Sequence, residues 1–276
     1  MNNIDYIVKK SGSSFFWSMR LLPKAKREAM YTIYAFCRHI DDIVDGPMPM
    51  QEKQDLLRAW REEIENIYNK VPTTDIGRRI YKNCMRFHLP KSEFLKLIDS
   101  ISMDVPQPLQ APKMTDFLKY CRGVAGVPGN LSLRIFGCQD EQLIEELATS
   151  LGNALQITNI LRDIKEDAQS DRLYIPQEYL EKAEISSKNP NEVITNKNLS
   201  VAREELAKMA AEDYAKASQI IPFLDKKAAR PVRAIAAIYK KYFDLMQNRG
   251  WEIISPKPNI SKFNKFSLAL RAYFGK

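Results

Sequence analysis

The chain has 276 residues, 45% of them hydrophobic, and a formal net charge of +8 from 42 basic and 34 acidic side chains. That is enough apolar material for a sizeable core, yet no run approaches the roughly 20 residues that cross a bilayer, and the start Met-Asn-Asn-Ile-Asp-Tyr lacks the basic and apolar parts of a secretion signal, so a cytoplasmic protein is expected. Cys37, Cys84, Cys121 and Cys138 stand singly with only His39 and His88 to join them, which argues against a zinc or disulfide framework, and no zinc-finger spacing, RNA-recognition signature or dense basic arm points to nucleic acid.

In chain order, residues 2–10 suit a short helix, and Ser11-Gly12-Ser13-Ser14 is a polar break. There Ser14 either caps the segment from Phe15 or offers its hydroxyl to a phosphate. Pro23 opens a helix that Gly46-Pro47 ends. On it, at about 100° per residue, Tyr34, Arg38, Asp41 and Asp45 fall within roughly 60° of one face. Further helices are expected at 51–70, closed by Pro72, at 75–87 and at 91–104. Pro106, Pro108 and Pro112 make an irregular connection into a helix at 115–127. Gly123, Gly126 and Gly129 each sacrifice about 1 kcal/mol of helix propensity there, which reads as a close approach to the backbone, a plain helix break or a tight helix crossing.

Residues 140–168 form the longest expected helix, with Leu143, Leu147, Leu151 and Leu155 as an apolar row. Near its end Gln156, Asn159, Asp163 and Asp167 again lie within roughly 80° of one face. Asp-Arg-Leu-Tyr-Ile-Pro follows, so Arg172 and Tyr174 can fold back over that face. The stretch 181–198 is polar and reads as a loop or short turn, and helices resume at 199–218 and 228–249. After Glu252 there are no acids, while Lys257, Lys262, Lys265, Arg271 and Lys276 interleave with aromatic and aliphatic residues. This basic amphipathic tail would dock on the fold, grip phosphate or lie on a membrane surface. No run of alternating β-branched residues occurs, so the architecture is expected to be all-α, a single domain over 1–276.

A single D-x-x-x-D on a helix is usually a solvated face. Here both copies are flanked by apolar residues, Ile33, Ala35 and Phe36 in one and Ala154, Ile157 and Ile160 in the other. Buried carboxylates are costly unless paired or bound to metal. Hard oxygen ligands of this kind suit Mg²⁺ bridging carboxylates to substrate phosphates, so Asp41, Asp45, Asp163 and Asp167 are the candidate metal ligands of a diphosphate site. Removing Asp41 or Asp163 should then abolish activity while relieving repulsion in the metal-free protein.

With those residues laid out, the chain resembles the squalene and phytoene synthase family of head-to-head prenyltransferases. The resemblance rests on Tyr34 to Asp45, on Tyr-Cys-x-x-Val-Ala-Gly at 120–126, and on Leu-Gln-x-x-Asn-Ile-x-Arg-Asp-x-x-x-Asp at 155–167 with Arg-x-Tyr at 172–174. Ser-Gly-Ser-Ser-Phe at 11–15 and Met-Arg-Leu-Leu-Pro at 19–23 look most like bacterial members that make presqualene diphosphate for hopanoid biosynthesis. The resemblance implies a helical bundle around a central cavity, two farnesyl diphosphates as substrate and Mg²⁺ as cofactor, with NADPH not expected for the first half-reaction. Tyr34, Arg38, Arg172, Tyr174, Tyr239 and Ser14 would surround the diphosphates, Gln156 and Asn159 the reacting carbons, and Tyr120 is a candidate catalytic group, beside released diphosphate, for taking a proton. Many relatives carry a basic residue in the first serine-rich loop where this chain has Ser13, so Lys262 or Lys265 is a candidate replacement anchor. Dehydrosqualene, phytoene or NADPH-dependent squalene synthesis share these motifs, and a non-catalytic helical assembly factor is the reading from another class. Partners on this reading are farnesyl diphosphate, downstream isoprenoid enzymes and a peripheral membrane contact through the tail, with no nucleic acid.

Overall fold

The long helix Glu141–Gln169, which carries the second acidic motif, is the element on which the glycine-rich turn Arg122–Gly126 and the helices Met114–Cys121, Val127–Phe136, Pro190–Val193, Leu199–Ile220 and Lys226–Arg249 pack. The structure is a computed structural model that describes residues 19–275, so Ser14 lies outside the described residues. Twelve helices are used below in chain order: α1 Lys24–Asp45, α2 Met50–Tyr68, α3 Asp75–Phe87, α4 Lys91–Ile101, α5 Met114–Cys121, α6 Val127–Phe136, α7 Glu141–Gln169, α8 Gln177–Lys182, α9 Pro190–Val193, α10 Leu199–Ile220, α11 Lys226–Arg249 and α12 Lys262–Phe274. Among the described residues there is no strand, and the fold is all-α as expected; the one isolated bridge joins Gln110 to Leu173.

Local chemistry accounts for several helix ends. Thr74 caps α3 by accepting from the Gly77 N–H, Asp140 caps α7 by accepting from the Leu143 N–H, and α6 stops at Gly137 with φ +104°. The buried Glu63 accepts from the N–H and hydroxyl groups of Thr73 and Thr74, which ties the α2–α3 turn to α2. The polar stretch 181–198 is more ordered than its composition suggests: α8 opens after Pro176, and Asn189 caps the short α9 by accepting from the N–H groups of Asn191 and Glu192.

The glycine-rich segment separates its three sequence readings. Arg122–Gly126 is one turn of π-helix between α5 and α6, and what approaches it is neighbouring helix. A Cβ on Gly123 would overlap Ser100 of α4, and a Cβ on Gly152 of α7 would meet Gly126 backbone at 2.8 Å. The glycines therefore permit a tight crossing that brings α7 against the π turn. Gly152→Ala is expected to destabilise the protein by about 1–3 kcal/mol through overpacking, read as a lowered melting temperature; an unchanged melt would show that the crossing has slack.

One buried apolar cluster extends from Met19 and α1 through α7 to Met246 of α11. A smaller one, Ala234, Ile238, Tyr242, Ile260 and Ala269, glues α12 onto α11. The basic tail thus docks on the fold by one face.

Candidate active site between two acidic helices

The face of α1 predicted from the sequence is present, but its members differ in exposure. Asp41 is partly buried, whereas Asp45 is exposed in the last turn, where the helix ends at Gly46. Arg38 pairs with Asp42 at 2.6 Å, and both side chains are about half exposed. On α7, Gln156, Asn159, Asp163 and Asp167 are all partly buried, and Asp163 accepts from Arg162 Nε at 2.9 Å.

The two faces meet through the chain that follows α7. Arg172 donates to Asp45 at 2.7 Å, and its Nε lies 3.8 Å from Asp104. Asp104, at the end of the short 3-10 turn after α4, is buried and accepts from the Tyr174 hydroxyl and the Leu109 N–H, each at 2.9 Å. Tyr174 stacks on Tyr120, with ring centroids 4.9 Å apart and planes 18° from parallel. Arg172 therefore bonds the last acid of α1 and lies near Asp104, and its charge also acts on Asp167 of α7.

Electrostatics divide the acids into two kinds. Burial pushes the Asp41 carboxyl up to about 7, and the neighbouring Asp45 adds to the rise. Burial likewise pushes Asp167 up to about 7, with Asp163 adding to it and Arg172 opposing. Asp163 goes the other way: burial works against ionisation there, but the bond from Arg162 and the charge of Lys257 outweigh it and hold the carboxyl below its ordinary range. The Tyr120 hydroxyl is raised well above its ordinary value by burial, with Asp104 contributing.

Beside Asp41 opens a cavity of about 210 Å³, lined at its polar end by Tyr34, Gln156, Asn159 and Tyr239 and elsewhere by apolar groups such as Ile33, Val124 and Leu155. Ala125, Ser132 and Leu155 also border a smaller apolar space of about 40 Å³ that reaches Phe136, Val232 and Ile235. On the other side of Asp45 a cleft of about 610 Å³, lined by Lys53, Asp104, Ser170 and Arg172 among others, opens toward solvent. Apolar depth and a charged mouth are what an amphiphile with an anionic head needs.

Among the described residues no three Asp, Glu, His or Cys side chains converge closely enough to enclose a metal ion by themselves. The residues nevertheless fit a hard divalent cation completed by substrate oxygens. Two carboxyls are raised by burial and then by a neighbouring acid, and Asn159 Oδ1 is buried with no hydrogen-bond partner, so positive charge and oxygen ligation are both in demand.

Two residues of this site escaped the sequence reading. Asp104 shows only as an acid ending an apolar helix before three prolines, a faint signal. Lys257 was visible merely as one lysine of the tail, yet its Nζ lies 2.8 Å from Glu166 and 3.4 Å from Asp163. The candidate anchors Lys262 and Lys265 are placed otherwise: Lys262 is exposed at the start of α12, and Lys265 lies over the Tyr242 ring at 5.4 Å. Lys257 reaches the acids because the buried Arg203 donates to the carbonyls of Leu161 in α7 and of Trp251 and Ile253, clamping the segment that carries it.

An all-α chain that faces two D-x-x-x-D helices across the charged mouth of an apolar cavity has the architecture of an isoprenoid synthase. The squalene/phytoene synthase family model matches residues 8–264, and the chain belongs to that family. It is 38% identical over 260 residues to presqualene diphosphate synthase of Sinorhizobium fredii, covering 94% of this chain and 92% of that one. It is 39% identical over 257 residues to the enzyme of the same name from Zymomonas mobilis, covering 93% and 86%. A crystal structure of a ligand-bound dehydrosqualene synthase superimposes with a TM-score of 0.84 at 25% identity, covering 99% of this chain and 94% of that one.

Proposed function

We propose that this chain joins two molecules of farnesyl diphosphate head to head and releases diphosphate, giving presqualene diphosphate for squalene or hopanoid biosynthesis. The observation that carries the reading is the apolar cavity that Tyr34 and Asp41 of one acidic helix and Gln156 and Asn159 of the other line together, in a chain whose relatives at 38% and 39% identity bear that product's name. Mg²⁺, held by Asp41, Asp45, Asp163 and Asp167 together with diphosphate oxygens, would supply the positive charge that stabilises the departing diphosphate.

The chain's own residues do the rest. Arg172 and Lys257 neutralise part of the acidic rim and keep donors for phosphate oxygens. Tyr34, Arg38, Tyr174 and Tyr239 complete the diphosphate pocket. When the first allylic C–O bond ionises, the apolar walls keep water from the cation and aromatic faces stabilise it. The double bond of the second molecule attacks, and loss of a proton closes a cyclopropane beside Gln156 and Asn159. With its hydroxyl held well above its ordinary value, Tyr120 suits a base poorly, so its role is to hold the ring of Tyr174 by stacking on it, and released diphosphate takes the proton.

The likeness to a dehydrosqualene synthase supports a second reading, in which the cyclopropyl product is rearranged in the same cavity. Product analysis separates the two. Purified protein with Mg²⁺ and farnesyl diphosphate should accumulate presqualene diphosphate, unchanged by NADPH, when read by mass spectrometry with the diphosphate retained. Dehydrosqualene without NADPH, or squalene with it, would overturn the choice of product, and no turnover of farnesyl diphosphate would overturn the substrate.

A further inference from the structure

The docked tail helix leaves one face unpartnered. In α12, Ala269 is buried against Ala234, Ile238 and Tyr242 of α11, while the opposite face turns away from the protein. There Phe263, Ser267, Leu270 and Phe274 follow the spacing i, i+4, i+7, i+11 and fall within roughly 60° of one line. Phe263 is 78% and Phe274 60% exposed, and they stand about 16 Å apart along the same side of the helix. Two exposed phenylalanines on one outward stripe are not the surface of a helix that has finished packing.

The charge around the stripe is of one sign. Lys262 and Arg271 are exposed on α12 itself, and no acid follows Glu252. At the C-terminal end Arg230 lies over the Tyr273 ring at 5.8 Å, and Arg233 Nη1 lies 3.6 Å from where a Cβ on Gly275 would stand. An aromatic stripe flanked by lysine and arginine is the surface that inserts at the headgroup level of an anionic bilayer. The same patch facing itself across a two-fold axis would oppose like charges, which disfavours a second copy as the occupant. Among the described residues no helix is long and apolar enough to cross a membrane, so the contact is one of lying on the surface.

We infer that the outer face of α12 is a docking surface for an anionic lipid bilayer, with Phe263 and Phe274 as the inserting side chains. Its position relative to the site is favourable. Lys265 and Arg162 both lie over the Tyr242 ring, and Arg162 bonds Asp163, so the first turn of α12 is three contacts from the first acid of the second motif. If the proposed reaction holds, a bilayer there could deliver and receive prenyl diphosphates; the surface itself does not depend on that reaction.

The test is flotation of the full-length protein with vesicles of phosphatidylglycerol and phosphatidylcholine, and with phosphatidylcholine alone. Flotation is expected with the anionic vesicles only, and about 0.5 M salt should release it. The double variant F263S/F274S should partition at least about tenfold less while keeping its melting temperature and its turnover in vesicle-free assay. No flotation of the parent protein, or flotation that the double variant does not change, would overturn the inference. So would a solution dimer that ignores vesicles and dissociates in the double variant, since the occupant would then be a second copy. Because turnover is read without vesicles, failure of the surface is distinguishable from failure of the proposed reaction.

Discussion

Asp41→Asn is expected to lower turnover of farnesyl diphosphate by about a thousandfold or more, while the metal-free protein at pH 8 becomes at least as stable as the parent. The two effects have one cause. Burial and Asp45 push the Asp41 carboxyl up to about 7, from an unfolded value near 4. A carboxyl raised on folding contributes stability that is fully present below the unfolded value and is lost as pH rises through the folded one. At pH 8 the ionised acid therefore opposes folding. A rise of about three units at 1.36 kcal/mol each sets a ceiling near 4 kcal/mol, and partial solvation and sharing with Asp45 bring it to about 1–3 kcal/mol. The amide keeps the shape without the charge, so melting of the variant in EDTA should fall less between pH 6 and pH 8 than melting of the parent. Turnover within tenfold of the parent, or a steeper pH dependence, would refute this account of Asp41.

How much of this was legible in the sequence depends on the range of the signal. The span of α3, the stop of α1 at Gly46 and the two acidic faces follow from caps, breakers and 3.6-residue periodicity, all of which act within a few residues. The short helices α8 and α9 have caps but too few turns to show a periodic face, so 181–198 reads as loop. What brings Asp104 under Tyr174, or Lys257 onto Asp163, is chain separated by about 70 and 94 residues, and no local pattern announces such a meeting. The glycines are intermediate: their spacing marks a close approach, and only packing reveals that the visitor is helix α7. The sign of each carboxyl's shift is likewise invisible in D-x-x-x-D, because it depends on which cation the fold delivers.

That last point separates Asp163 from Asp41, though spacing treats them alike. The sequence suggests that removing either acid relieves repulsion; the structure corrects this for Asp163, whose carboxyl is held low by Arg162 and Lys257. Asp163→Ala should lose turnover by orders of magnitude, as Asp41→Asn does, but it should also lower stability by about 1–3 kcal/mol, because Arg162, only 19% exposed, keeps its charge and loses its acceptor. For a chain of this length that is a fall of roughly 2–8 °C in melting temperature. The pH dependence has the opposite sign to that of Asp41: a depressed carboxyl contributes stability above its unfolded value near 4 and loses it as pH falls through the folded one. The gap between parent and variant should therefore be constant from pH 6 to 8 and close only in acid. Asp163→Asn, which keeps an oxygen for Arg162, should recover part of the stability and none of the activity. A variant that melts with the parent at pH 7 would mean that Arg162 has another acceptor within reach, and that the cations at this end of the site are there for the substrate alone.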